Sequence, residues 1–146
     1  GNPSVIEYNC RFGDPETQPI MQRLKGDLGA LCLAALDGRL DEVSADWDAR
    51  PAVGVVLAAG GYPGSYEKGC EIKGLDAVWP ATTKVFHAGT QQKGDSVVTQ
   101  GGRVLCISAL GDSIADAIAA AYVGVDQISW RGMVCRRDIG WRAIDR

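Results

Sequence analysis

Three polar side chains near the start of the chain have the types and the spacing of a metal and anion site. Glu7, Asn9 and Arg11 alternate with apolar or small residues over residues 5–11, and we predict a strand at Val5–Cys10. Residues two apart on a strand share a face, so the three side chains would lie together while the residues between them face a core. A carboxylate and an amide oxygen suit Mg²⁺ or Mn²⁺, and a guanidinium beside them suits a phosphate or a carboxylate. A solvated strand face is the alternative interpretation.

The longer run that contains these residues resembles a known family. The whole run of Glu7, Asn9, Arg11 and Gly13–Glu16 closely resembles the end of the ATP-grasp domain of the glycinamide ribonucleotide synthetases. Four later segments resemble the same family in the same order, and they are residues 54–64, 85–90, 101–105 and 138–144. The resemblance extends from about residue 4 to the last residue. It implies that the chain is the C-terminal third of a longer enzyme, with the ATP-binding lysine, adenine pocket and glycine-rich lid upstream of Gly1.

The resemblance also implies a reaction and its ligands. In this family ATP drives the joining of glycine to 5-phosphoribosylamine through a glycyl phosphate. The resemblance implies metal binding for Glu7 and Asn9, with Mg²⁺ or Mn²⁺ as the ion. From its position and charge, Arg11 is expected to have a catalytic and substrate-binding role at the acyl phosphate or substrate carboxylate. Such chemistry needs charge neutralisation and positioning more than proton transfer. The expected partners are ATP, glycine, 5-phosphoribosylamine and the N-terminal part of the same enzyme, and we expect the isolated chain to be inactive.

The turn after Arg11 supplies further candidate residues. Gly13 and Asp14 are expected to bind substrate, because Asp14 or Glu16 could hold the glycine amine or orient Arg11. Asp14 could instead serve only as a helix cap, together with Thr17. Both interpretations of Asp14 remain open from the sequence.

The basic tail offers candidates for the sugar phosphate. Arg142 is expected to bind substrate, and Arg136 is a second candidate, with a solvated basic tail as the alternative. Trp130 and Trp141 are interpreted as core residues rather than as ligand platforms. His87 is the single histidine, so a triad mechanism would depend on it alone, and we expect a structural role.

Composition limits the class of protein. The 146 residues are 46% hydrophobic with a formal net charge of −3, which gives no electrostatic reason to expect nucleic acid or an anionic membrane as a partner. No run approaches the roughly 20 apolar residues of a membrane span. The five cysteines form no CxxC pair, so zinc and dithiol chemistry are not indicated and a reducing, cytoplasmic location is expected.

The order of patterns predicts an α+β chain. We expect residues 1–38 to be the C-terminal strand and helix of an ATP-grasp domain, residues 39–51 a linker, and residues 52–146 a small antiparallel barrel or sandwich-like domain with a covering helix. One helix is predicted from about residue 14 to the cap at Gly38. Further elements are predicted as strands at 52–59, 84–89, 96–99 and 103–109, a helix from Ile114 to Val125 after Ser113, and a short strand within 128–135.

Two other functions fit parts of the same pattern. The chain could be a non-catalytic binding or scaffold module that completes a split ligase. It could also belong to a different ATP-grasp ligase that joins another carboxylate to an amine. The Arg-Phe-Gly-Asp-Pro-Glu run after Asn9 and the Asp-Ile-Gly-Trp-Arg run near the end favour the glycine-using family.

Overall fold

The computed structural model describes residues 3–144. The helices are α1 (Thr17–Arg23), α2 (Leu28–Leu36) and α3 (Ile114–Val125), with short 3-10 helices at Leu40–Glu42 and Trp141–Ala143. The strands are β1 (Ala52–Ala59), β2 (Thr83–His87), β3 (Thr90–Lys93), β4 (Ser96–Thr99), β5 (Arg103–Leu110) and β6 (Met133–Cys135). The α+β class and the antiparallel pairing expected from the sequence are therefore present.

An open antiparallel sheet forms the centre of the molecule. Its strand order is β2-β5-β1-β6, and β3 and β4 form a separate two-stranded sheet. The sheet ends at β2 on one side and at β6 on the other, so the expectation of a barrel is wrong for residues 3–144. The physical reason lies in the turn at Gly89, where the chain leaves the main sheet and pairs β3 with β4, instead of returning β4 along β2.

The main core lies between one face of this sheet and α3. Val55 and Leu57 of β1 and Ile107 of β5 are fully buried on that face, against Ala117 and Ala121 of the helix. Ser113 begins α3 with a capping box, since its side chain accepts from the backbone N–H of Asp116. The covering helix and its cap are thus where the sequence places them.

The first helical region is two helices, not the single helix predicted from its apolar spacing. α1 ends at Arg23, and Asp27 then begins α2 by accepting hydrogen bonds from the backbone N–H groups of Gly29 at 2.7 Å and Ala30 at 3.2 Å. An aspartate that satisfies two free helix-start donors favours a new helix over continuation of the old one. Gly38 follows α2 with φ of +68°, which confirms it as the terminating residue.

The residues before α1 do not form the predicted strand. Residues 3–9 have no regular structure, and Ile6 and Tyr8 are 97% and 83% exposed instead of facing a core. A strand exists only through hydrogen bonds to a neighbouring strand, and no strand within residues 3–144 pairs with this segment. In the same described range, no helix has the length and the apolar character that crossing a membrane requires.

Candidate functional site

A groove lies on the face of the sheet opposite α3. Gly54, Val56 and Ala58 of β1 form its apolar floor, and α1 covers the neighbouring part of the same face, where Pro19 contacts Gly54. Arg103 and Arg136 lie at its rim. The groove has a volume of about 490 Å³, which is enough for a small organic ligand.

Two hydrogen bonds fix α1 on this face. The amide Nε2 of Gln22 donates to the carbonyl of Thr82 at 2.8 Å, and the hydroxyl of Ser108 donates to Oε1 of Gln22 at 2.5 Å. Ser108 is completely buried, so its hydroxyl requires a partner inside the protein. α1 is therefore held on the sheet beside the groove, and the Gly13–Pro15 turn precedes it directly.

Asp14 projects from this turn toward β5. One of its carboxylate oxygens lies 3.0 Å from Nη2 of Arg103, and the other accepts from the side chain of Gln18 at 3.0 Å. No side chain caps α1, whose N-cap residue is Glu16, so the interpretation of Asp14 as a helix cap is wrong. The carboxylate instead forms an ion pair with Arg103 at the rim of the groove.

Gly13 is buried at the base of the same turn. Its carbonyl accepts from the hydroxyl and from the backbone N–H of Thr17, and the carboxylate of Glu16 lies where a Cβ at this position would be. A larger residue would require the exposed Glu16 side chain to move aside.

Glu7, Asn9 and Arg11 lie on the exposed segment that precedes the turn. The Asn9 amide donates to Oε1 of Glu7 at 3.3 Å, so these two side chains do lie side by side. Arg11 donates to the carbonyl of Phe12 at 3.0 Å. Within residues 3–144 there is no cluster of three or more His, Cys, Asp or Glu residues that could hold a metal.

The donor chemistry of this pair fits a hard cation only in part. A carboxylate and an amide oxygen are ligands that Mg²⁺ and related ions accept. Two protein donors fall well short of the six or so that such an ion requires, so its remaining ligands would be supplied by phosphate, water or another segment. Glu7 and Asn9 are therefore compatible with a shared metal site rather than a complete one.

The tail forms the other side of the groove. Arg136 and Ile139 line both the groove and an adjoining pocket of about 480 Å³ near Trp141 and Arg142. The guanidinium of Arg142 lies 5.3 Å from the centre of the Trp141 ring. Trp141 is 55% exposed, so its interpretation as a core residue is wrong, because the ring packs beneath an arginine at the surface.

Trp130 and His87 are the remaining residues for which the sequence predicts a structural role. Trp130 is buried, as expected from the sequence. His87 is exposed at the end of β2, where Nδ1 lies 3.0 Å from the hydroxyl of Thr90.

Ion pairing and burial shift the pKa values of groups at the groove. The ion pair with Asp138 raises the pKa of Arg136, and the same pair lowers the pKa of Asp138. Beneath the groove, burial raises the pKa of the Cys106 thiol to about 12, with a smaller contribution from the Asp14 carboxylate. Arg136 thus stays charged, and Cys106 is a neutral part of the core.

The structure brings together some of the predicted residues and adds one. Asp14 and Arg136 lie at the rims of one groove, and Arg142 lies in the pocket that adjoins it. Glu7 and Asn9 contact each other but none of these residues through a hydrogen bond or ion pair. Arg103 was missed by the sequence reasoning, although it directly follows a Gly-Gly pair in one of the segments that carried the resemblance.

Comparisons with known proteins agree with this architecture. Residues 52–142 match the family model described as "Phosphoribosylglycinamide synthetase, C domain", and this match begins at the first residue of β1. Proteins named phosphoribosylamine–glycine ligase from Allochromatium vinosum and Vibrio cholerae are each 63% identical over the whole chain. The corresponding protein from Salmonella typhimurium is 60% identical over the whole chain.

A solved structure shows the same fold. The crystal structure of phosphoribosylamine–glycine ligase from Thermotoga maritima covers 94% of this chain with a TM-score of 0.69 and 34% sequence identity. The chain spans 34% of the length of that structure and of the relatives from Allochromatium and Vibrio. The family model matches residues 52–142, which is well over half of the chain. The chain therefore belongs to the phosphoribosylglycinamide synthetase family.

Proposed function

We propose that this chain is the C-terminal part of an ATP-dependent ligase that joins glycine to 5-phosphoribosylamine in purine biosynthesis. The observation that carries the proposal is 63% identity, over every residue of the chain, to proteins named for that reaction. The groove supports this proposal, since carboxylate and guanidinium groups surround its apolar floor. It lies where several of the segments that resemble the family come together. Such an enzyme would act in the cytoplasm.

The proposed domain organisation follows the same resemblance. Residues 1–38 would complete an ATP-grasp domain whose other segments lie elsewhere in the enzyme. Residues 39–51 would be a linker to the C-terminal domain, residues 52–146, which would form one wall of the active site. The exposed apolar side chains of Ile6 and Tyr8 support this assignment, because they would be buried once a neighbouring strand is supplied.

Each site residue then has a proposed role. Glu7 and Asn9 would hold the divalent ion, which supplies charge neutralisation at the phosphates when it is bound. Arg11 would bind the acyl phosphate or the glycine carboxylate through charge-assisted hydrogen bonds. Gly13 and Asp14 would place and bind the amine-bearing substrate.

The tail would bind the sugar phosphate of 5-phosphoribosylamine. Arg142 and Arg136 lie in one continuous depression, and a phosphate prefers guanidinium groups because they offer paired donors in one plane. In this structure Arg136 is paired with Asp138, so binding of a phosphate there would require exchange of that carboxylate for the ligand.

Activity assays of the complete protein and of the isolated chain test the proposed function. The complete protein that carries this chain is expected to release ADP and to form glycinamide ribonucleotide only when ATP, glycine and 5-phosphoribosylamine are all present. The isolated chain is expected to show no turnover. Normal turnover by the isolated chain would contradict the proposed extent of the site, and ADP release that does not depend on glycine would favour a different ATP-grasp ligase.

A further inference from the structure

Arg103 faces the groove because of an irregularity in the pairing of β1 with β5. Leu57 lies opposite Leu105, but the next residue of β1, Ala58, lies opposite Arg103, so that Val104 is an extra residue in β5. A shift of one residue reverses the face to which a side chain points. In a regular ladder Arg103 would share the α3 side with Leu105. The bulge places it opposite Ala58, on the groove side.

The side chain that Arg103 meets there is Asp14. Nη2 of Arg103 and a carboxylate oxygen of Asp14 are 3.0 Å apart, and the two side chains are 42% and 39% exposed. An ion pair with this exposure contributes little to folding stability. The bulge keeps the guanidinium out of the apolar core beneath α3, where burying an unpaired charge would be costly. That requirement does not explain why the side chain meets Asp14 at the groove, and bulges are frequent beside functional sites, where they redirect a side chain.

The pair connects two parts of the site that are far apart in sequence. Asp14 follows the segment of Glu7, Asn9 and Arg11, and Arg103 belongs to the sheet that forms the floor of the groove. An unpaired carboxylate at this place would repel an anionic intermediate beside Arg11. Pairing with Arg103 cancels that repulsion and fixes the turn.

We propose that Arg103 is a positioning residue of the ligase, which holds the Asp14 carboxylate and the turn after Arg11 at the groove. The inference rests on the proposed function. Since Arg103 acts through Asp14, its loss should affect the use of glycine and 5-phosphoribosylamine and leave the KM for ATP unchanged. The contact is through one guanidinium nitrogen, so lysine should largely replace it.

Steady-state kinetics of the complete enzyme test this inference. Arg103→Met is expected to lower kcat/KM for glycine by about tenfold or more, because displaced positioning groups cost rates of this order. Arg103→Lys is expected to stay within about threefold of wild type, since it keeps the charge. Arg39→Met is the matched control, as it removes an arginine from an exposed ion pair after α2, away from the groove, and should leave the kinetics unchanged.

A double-mutant comparison separates positioning from a general structural effect. In an Asp14→Asn background, Arg103→Met should cause little additional loss, because the partner through which it acts is already absent. An Arg103→Met enzyme with wild-type kinetics, or an equal loss in both backgrounds, would overturn the inference. If the wild-type enzyme itself fails to make the product, the proposed function fails instead, so the two failures are distinguishable.

Discussion

The completely buried hydroxyl of Ser108 donates a 2.5 Å hydrogen bond to the side chain of Gln22, which joins the central strand of the sheet to α1. These residues are 86 positions apart in the chain, so the bond is one of the contacts that hold the turn before α1 against the groove. Without it, α1 would be held on the sheet only by the Gln22–Thr82 hydrogen bond and by packing of Pro19 against Gly54, and the position of Asp14 relative to Arg103 would be less well fixed. The bond therefore links the stability of the fold to the geometry of the proposed site.

Loss of this hydrogen bond should destabilise the protein measurably. Ser108→Ala leaves the buried Oε1 of Gln22 without its donor, and we expect a loss of about 1–3 kcal/mol in the free energy of unfolding. Ser96→Ala is the control, because its hydroxyl bonds to Glu71 at the surface, and we expect a change within about 0.5 kcal/mol. Urea unfolding followed by tryptophan fluorescence measures both. Equal midpoints for the two variants would show that the bond is unimportant.

The segment between α2 and β1 supplies a pH-dependent contribution to stability. The Asp48 carboxylate accepts hydrogen bonds from the Arg50 side chain and backbone, and these bonds hold its pKa well below the ordinary value of 3.8. A carboxylate with a lowered folded-state pKa stabilises the fold above its unfolded pKa, and this contribution declines as the pH falls from about 4 toward the lowered value.

Asp48→Asn should reveal this contribution. The variant is expected to be less stable than wild type at pH 7, and the difference should narrow as the pH falls below about 4. Asp41→Asn, in the 3-10 helix of the same segment, is the surface control, and we expect it to leave the stability unchanged. Denaturant midpoints at pH 7 and pH 3 give the result. A stability difference between wild type and Asp48→Asn that is the same at both pH values would contradict the lowered pKa of Asp48.

Thiol reactivity should differ among the five free cysteines. Burial raises the pKa of Cys106 to about 12, so the reactive thiolate is scarce at pH 8 and the sulfur is also inaccessible. Cys10 and Cys32 are exposed and should react rapidly with Ellman's reagent in the native protein. Mass spectrometry of the labelled protein assigns the sites. Labelling of Cys106 at the rate of Cys10 would contradict the packing described for the sheet.

Two glycines should respond in opposite ways to alanine. A Cβ at Gly111 would collide with the backbone nitrogen of Ala117, at the start of α3, so we expect Gly111→Ala to cost about 3 kcal/mol. Gly26 has no atom near the position of a Cβ and has no positive φ, so Gly26→Ala should be neutral or stabilise by up to about 1 kcal/mol. Melting temperatures compare the two, and a stable Gly111→Ala variant would mean that the turn before α3 can shift.

Local patterns explain why much of the fold follows from the sequence. The apolar run from Ala52 to Ala59 predicts a buried central strand, and Ser113 with Asp116 predicts the start of α3. These signals depend on neighbouring residues alone. The resemblance carried by residues 7–16 and four later segments also identified the correct family, which the match over residues 52–142 shows.

The failures involve partners that local patterns do not specify. Val5–Cys10 has the alternation of a strand but finds no neighbouring strand among residues 3–144. The apolar spacing through Leu24 and Leu28 suits one helix, yet the capping aspartate at residue 27 divides it. The role of Arg103 depends on the bulge at Val104, and a bulge is set by how two distant strands fit together. The metal and substrate roles of the site residues stay predictions.

The rate of product formation by the complete enzyme carrying Glu7→Ala, measured against Mg²⁺ concentration, tests the proposed metal site most directly. We predict that kcat falls by on the order of 10³ or more, because one metal ligand is removed, and that a half-maximal rate requires a higher Mg²⁺ concentration than in the wild type. Unfolding midpoints should be unchanged, since Glu7 is exposed, and Glu42→Ala should keep full activity. A Glu7→Ala enzyme with the wild-type rate and the wild-type Mg²⁺ dependence would exclude Glu7 as a metal ligand.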